Sequence, residues 1–111
     1  MNFGGYCMPS SELSVVFCYV YVLYSLSNNT FYVGFTHDLK KRFTEHNDGL
    51  NFSTKKYRPW LLIYYEAHTN EVDAKRREKY LKTSAGDRAL HRMLAEKLTD
   101  LRNLIRQKVY Y

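Results

Sequence analysis

A chain of 111 residues and 13.3 kDa has room for one domain, and its 45% hydrophobic content excludes a disordered chain. Two cysteines, Cys7 and Cys18, exclude a disulfide framework and a cysteine zinc site, so a metal here would use oxygen ligands. The formal charge is +6, and all 17 Lys and Arg lie between Lys40 and Lys108, behind a first stretch whose acids are Glu12 and Asp38; such a basic section calls for an anionic partner.

Residues 1–14, with Gly4-Gly5 and Pro9, predict a loose tail ahead of a single domain over 15–111. The apolar run Leu13 to Leu26 is 14 residues long, against the roughly 20 that cross a bilayer. It has no preceding positive charge, as a secretory signal would. The expectation is a buried strand in a cytoplasmic protein that does not enter a membrane. Val15 to Ser25 is rich in β-branched and aromatic residues and predicts the first strand. Ser27-Asn28-Asn29 turns the chain, and Phe31 to Phe35 completes a hairpin in which Gly34 marks a bulge or a close backbone approach. Thr36 is the expected cap of a helix running to about Asn47, with Leu39 and Phe43 inward. Residues 50–59 predict a basic loop, and Trp60 to Glu66 a third strand. Asn70 caps a second helix over about Glu71 to Thr83. A third runs from about Asp87 to Lys108, with Leu90, Leu94, Leu98, Leu101, Leu104 and Ile105 on one stripe and Arg88, Arg92, Arg102 and Arg106 opposite. The order β-β-α-β-α-α predicts an α+β fold: a small, mostly antiparallel three-stranded sheet flanked by helices.

Tyr21 and Tyr32 fall where the two hairpin strands face each other. Arg42 and His46 are four apart and share one helix face that follows directly on the second strand. Glu78 shares an inward stripe with Ala74 and Leu81. A carboxylate there needs a partner, and Lys82 one turn on or a hard divalent cation would serve. No Gly-rich phosphate loop, nucleophile elbow or dinucleotide fingerprint is present, which argues against the common metabolic enzymes.

Tyr19-Val20-Tyr21, Tyr32-Val33-Gly34, Arg42, His46 and Glu78 together resemble the GIY-YIG nuclease family, and in particular its small stand-alone members related to excision-repair endonucleases. Tyr21 and Tyr32 are eleven residues apart, Arg42 follows by ten and His46 by four more. The likeness spans about residues 17 to 92, although Tyr19 stands where the first motif has glycine and Phe35 where excision-repair members have lysine.

The resemblance implies a metal-dependent endonuclease that cuts DNA in repair or recombination. It implies that Glu78 holds Mg²⁺ or Mn²⁺, that Arg42 faces the phosphoryl oxygens, that Tyr21 takes or steers the proton of the attacking water, that Tyr32 positions water or phosphate, and that His46 relays the proton. Lys40, Lys41, Lys55, Lys56, Arg58, Lys75, Arg76, Arg77 and Lys82 are the cations expected on the DNA backbone. Without a separate recognition domain, selection by structure rather than by sequence is expected, with RNA as a further polyanion of the same kind. The alternative is a nucleic-acid-binding module on the same fold that does not cut. A second copy or a protein partner could dock on the apolar stripe of the last helix.

Overall fold

The computed structural model describes residues 15–109. The expected tail over 1–14, with Cys7, lies outside the described residues. Strand β1 (Cys18–Ser25) lies between β2 (Phe31–Thr36) and β3 (Trp60–His68), and both pairings are antiparallel, which realises the predicted α+β sheet. The hairpin turn closes through Ser25, whose N–H donates to the Thr30 carbonyl at 2.9 Å, and Asn29 adopts a positive φ of 55° there. Asparagine tolerates that conformation better than most residues.

Side chains alternate across the sheet, so each strand serves two layers. On one face Cys18, Val20, Val22 and Val33 pack against Ala74 and Leu81 of α3 (Glu71–Leu81) and Leu90 of α4 (Ser84–Met93). On the other face Tyr21, Leu23 and Trp60 pack with Leu39 and Phe43 of α1 (Leu39–Asn47). The central strand is therefore buried on both sides, which explains why β1 reads as a continuous apolar run rather than an alternating one.

Three boundaries depart from the sequence-based expectation. Helix α1 is capped by Asp38 rather than Thr36, because the Asp38 carboxylate accepts from the Lys41 N–H at 3.1 Å; Thr36 instead accepts from the Asp38 N–H. The basic loop contains a short helix, α2 (Phe52–Lys55), capped by Asn51. The long last helix is two helices, α4 and α5 (Ala95–Val109), with Thr83 capping the first. Leu94 leaves helical geometry at φ −112° and ψ 22°, while the Leu94 and Leu98 N–H groups still bond four residues back. No glycine or proline marks this bend. It lets Leu90 reach the Val20 layer while Leu98 and Leu101 close over Tyr24 at the far end of the same face. Most of the stripe expected to meet a partner is thus consumed by the protein's own sheet, with Leu104 left exposed; Arg88, Arg92, Arg102 and Arg106 are exposed as expected.

A polar tie joins α3 to β3. Glu66 accepts from Arg77 Nε at 2.9 and 3.2 Å, and also bonds Tyr64 and His68. Burial works against the Glu66 charge, but these hydrogen bonds, led by Arg77, outweigh it and hold the carboxyl below its ordinary pKa. Among the described residues, no helix is long and apolar enough to cross a membrane.

Candidate active site

The register of the hairpin assembles the first part of the site. Tyr21 lies directly opposite Gly34, and Leu23 opposite Tyr32, so Tyr21 and Tyr32 are diagonal neighbours on one face. Their ring centroids are 6.4 Å apart. Gly34 is what lets the Tyr21 ring cross its neighbour. A Cβ at residue 34 would stand 2.3 Å from both Cζ and the hydroxyl oxygen of Tyr21. The glycine in this strand therefore marks a close approach; the irregularity of the sheet lies elsewhere, between Val22 and Leu23 in the pairing with β3. Gly34→Ala is expected to cost about 1–3 kcal/mol, because Tyr21 is 1% exposed and cannot swing aside without losing its hydrogen bond. Urea denaturation of the variant checks this.

Helix α1 supplies the second part. Leu39, Phe43 and His46 share its inner face, and Arg42 stands one turn before His46. The Tyr21 hydroxyl is 2.8 Å from His46 Nε2, and His46 Nδ1 is 2.7 Å from Thr54 Oγ1 in α2. These polarities follow from the far end. With the Thr54 hydroxyl hydrogen turned to the Asn51 carbonyl 3.5 Å away, Thr54 would accept from Nδ1–H and the bare Nε2 from the Tyr21 O–H, which is the tautomer we assign. Trp60 Nε1–H donates to the Thr54 carbonyl at 2.8 Å and pins α2 against the core. His46 and Thr54 are both completely buried.

The electrostatics follow from this burial. Desolvation pushes His46 down to about 4, aided by the Arg42 charge, so the imidazole is neutral near pH 7 and free to accept. Desolvation likewise pushes Tyr21 up to about 12, with Tyr32 and Glu78 adding to the rise and the adjacent Arg42 guanidinium opposing it. Burial weakens the Arg42 charge, but Tyr21, Tyr32 and Glu45 outweigh it and raise its pKa. Tyr21 thus keeps its proton in the unliganded site, and positive charge brought close to it would favour the phenolate.

Glu78 enters from α3. Its side chain is 22% exposed and pairs with Lys82 Nζ at 3.2 Å, the partner that helical spacing predicts. Lys82 Nζ also lies 5.9 Å from the centre of the Tyr32 ring, which brings this pair to the β2 edge of the sheet. Among the described residues no three His, Cys, Asp or Glu side chains gather as a ready-made metal cage. One half-buried carboxylate near enough to act on Tyr21 does fit an ion such as Mg²⁺, which keeps several waters and takes one or two carboxylates. Lys82, exposed and on a flexible stem, could yield the carboxylate to it.

The structure brings Tyr21, Tyr32, Arg42 and His46 together, with Glu78 near enough to act on Tyr21. The nine expected DNA-contacting cations divide. Lys40, Lys41, Lys55, Lys56 and Arg58 are exposed and pair with no carboxylate among the described residues. Lys75 pairs with Glu71, Arg76 with Asp73, Arg77 with Glu66 and Lys82 with Glu78. Thr54, the residue that orients His46, was not among the expected site residues. Its only signal in the sequence is Asn51 as a helix cap three residues earlier.

A model of the GIY-YIG catalytic domain matches residues 17–89, which include every one of these groups. A UPF0213 protein of Limosilactobacillus reuteri is 42% identical over 67 residues, 58% of this chain and 69% of its own length. A UPF0213 protein of Staphylococcus haemolyticus is 34% identical over 80 residues, 71% of this chain and 95% of its own length. A third, from Clostridium perfringens, is 37% identical over 65 residues, 58% of this chain and 69% of its own. No solved structure matches. With its hairpin tyrosines, helix pair and glutamate all inside the matched span, the chain belongs to the GIY-YIG catalytic domain family, a family of nucleases.

Proposed function

We propose that this protein is a divalent-metal-dependent endonuclease that hydrolyses phosphodiester bonds in DNA and selects its substrate by structure rather than by sequence, as a repair or recombination enzyme would. The observation that carries this reading is the chain from the Tyr21 hydroxyl through His46 to Thr54, with Arg42 and Glu78 both close enough to act on Tyr21. A water attacking phosphorus must lose a proton as its oxygen bonds. Tyr21, as the phenolate that nearby positive charge favours, takes that proton, and neutral His46, held at Nδ1 by Thr54, accepts a hydrogen bond from the hydroxyl so formed and relays the proton onward. Arg42 is permanently cationic and balances the charge that gathers on the phosphoryl oxygens. Tyr32, packed edge-on to His46 at 4.9 Å between centroids, orients the water or the phosphate. Glu78 is the ligand for the cation, which when bound supplies positive charge to the transition state and the leaving oxygen. Lys40, Lys41, Lys55, Lys56 and Arg58 hold the backbone on either side.

The test is cleavage of duplex, single-stranded, flapped and branched DNA by the purified protein with Mg²⁺, with Mn²⁺ and with EDTA. Cutting of the branched or flapped forms with metal and none with EDTA is expected. DNA that is held but cut under none of these conditions overturns the reading in favour of a binding module.

A further inference from the structure

The α2 segment does more than orient His46. Phe52, its first residue, is 96% exposed, and Leu50 just before it is 72% exposed. Both belong to residue types that folding normally hides. Yet α2 itself is firmly held. Thr54 is completely buried, its hydroxyl bonds His46, its carbonyl takes the Trp60 indole N–H, and Asn51 caps the helix through the Ser53 N–H at 2.9 Å. A rigid four-residue helix thus has one side in the candidate site and offers an aromatic ring to solvent on the other.

The surroundings of the ring are cationic. No acid occurs between Asp48 and Glu66, whereas Lys55, Lys56 and Arg58 follow Phe52 closely and are exposed. Lys55, Lys56 and Arg58 line an open depression with Asn47 and Pro59. Arg58 is fixed there by Nε–H donation to the Lys55 carbonyl at 2.9 Å. An aromatic face beside a track of cations is the arrangement by which proteins hold nucleic acid strands: cations follow the phosphates and a base stacks on the ring. A base inside a duplex is already stacked, so such a ring favours a strand with an unpaired base.

We propose that Phe52, with Leu50 beside it, is a stacking platform for an unpaired base of the DNA substrate, while Lys55, Lys56 and Arg58 hold the adjoining phosphates. This rests on the nuclease reading for the identity of the polymer, and it names the feature by which a branched or frayed DNA is told from a plain duplex. A paired duplex would meet only the cations. A strand leaving a junction would also meet the ring, one short helix away from His46.

The experiment uses the full chain in EDTA, so that binding is read without cutting. The probe is a forked DNA with 2-aminopurine at the unpaired junction position, beside a blunt duplex of the same length. Base–aromatic stacking predicts that Phe52→Ala weakens fork binding by about 5- to 150-fold. Duplex binding and the melting temperature should stay unchanged, the fluorescence quench of 2-aminopurine should disappear, and Phe52→Trp should restore it. Equal fork affinity in Phe52→Ala and the parent overturns the proposal. So does an equal loss for fork and duplex, or a lowered melting temperature, which would show that the ring packs within the fold. The nuclease reading fails separately, through a parent protein that binds forks by way of Phe52 but never cuts them with Mg²⁺ or Mn²⁺.

Discussion

Glu78→Ala is expected to lower the rate of DNA cleavage by about 10³-fold or more while leaving DNA affinity close to that of the parent protein. The proposed cation is held by this carboxylate, and the several kcal/mol of transition-state stabilisation that an ion supplies leave with it. The fold should not suffer. Glu78 is inside α3, where alanine is the better helix former, and the pair it makes with the exposed Lys82 is of the i,i+4 kind worth about 0.3–0.5 kcal/mol. The carboxylate and the cation it would hold carry charges of opposite sign, and the exposed Lys40, Lys41, Lys55, Lys56 and Arg58 proposed to hold the backbone are untouched. Single-turnover cleavage and fluorescence anisotropy on the same flapped DNA separate the two quantities. Cleavage at the parental rate with Mg²⁺ would show that Glu78 does not hold the ion.

Tyr21→Phe should slow cleavage by about 10²- to 10⁴-fold, the range over which a positioned acid–base group acts. The ring is retained, so the Gly34 crossing and the packing against Trp60 persist. What is lost is the hydroxyl 2.8 Å from His46, and with it the group proposed to take the proton of the attacking water. Leaving Nε2 of a buried histidine without a donor costs about 1–3 kcal/mol of stability, small beside the expected loss of rate. The pH profile gives the sharper check. A base acts only when it has lost its proton, and Tyr21 sits at about 12 in the unliganded site. The parental rate should therefore rise with pH, at close to tenfold per unit between about pH 6 and 8, and Tyr21→Phe should flatten that rise. A parental profile that falls over this range, or a variant that keeps the parental slope, would remove Tyr21 from the proton path.

Much of the site was legible in the sequence because it depends on local periodicity. Strand alternation and a short turn put Tyr21 and Tyr32 within reach of each other, and a spacing of four put Arg42 over His46 and Lys82 beside Glu78. Asn70 was readable as a cap because its side chain satisfies the Val72 and Asp73 N–H groups two and three residues on. The features that were not legible are those set across long separations. Nothing within a helical turn of Thr54 announces that it will meet His46, and the four residues of α2 are too few for a periodic signal. Glu66 and Arg77 are 11 residues apart on different elements, so their tie appears only once α3 is laid on β3. The bend at Leu94 has no breaker residue. It arises because Leu90 and Leu98 must reach different parts of one sheet face.

By itself, then, the sequence determined the α+β order, the hairpin, the basic character of all that follows Lys40, and the spacings that set Tyr21 near Tyr32 and Arg42 near His46. Those properties are carried by residue type and by spacings of two and four, which need no tertiary context. The tertiary structure alone decided the resting protonation of the two groups, because burial lowers His46 to about 4 and raises Tyr21 to about 12. It also decided which cations stay available, since four of nine find acids on their own helix or on a neighbouring strand. Desolvation and long-range pairing are properties of the packed chain, and they turned a list of suitable side chains into an ordered site.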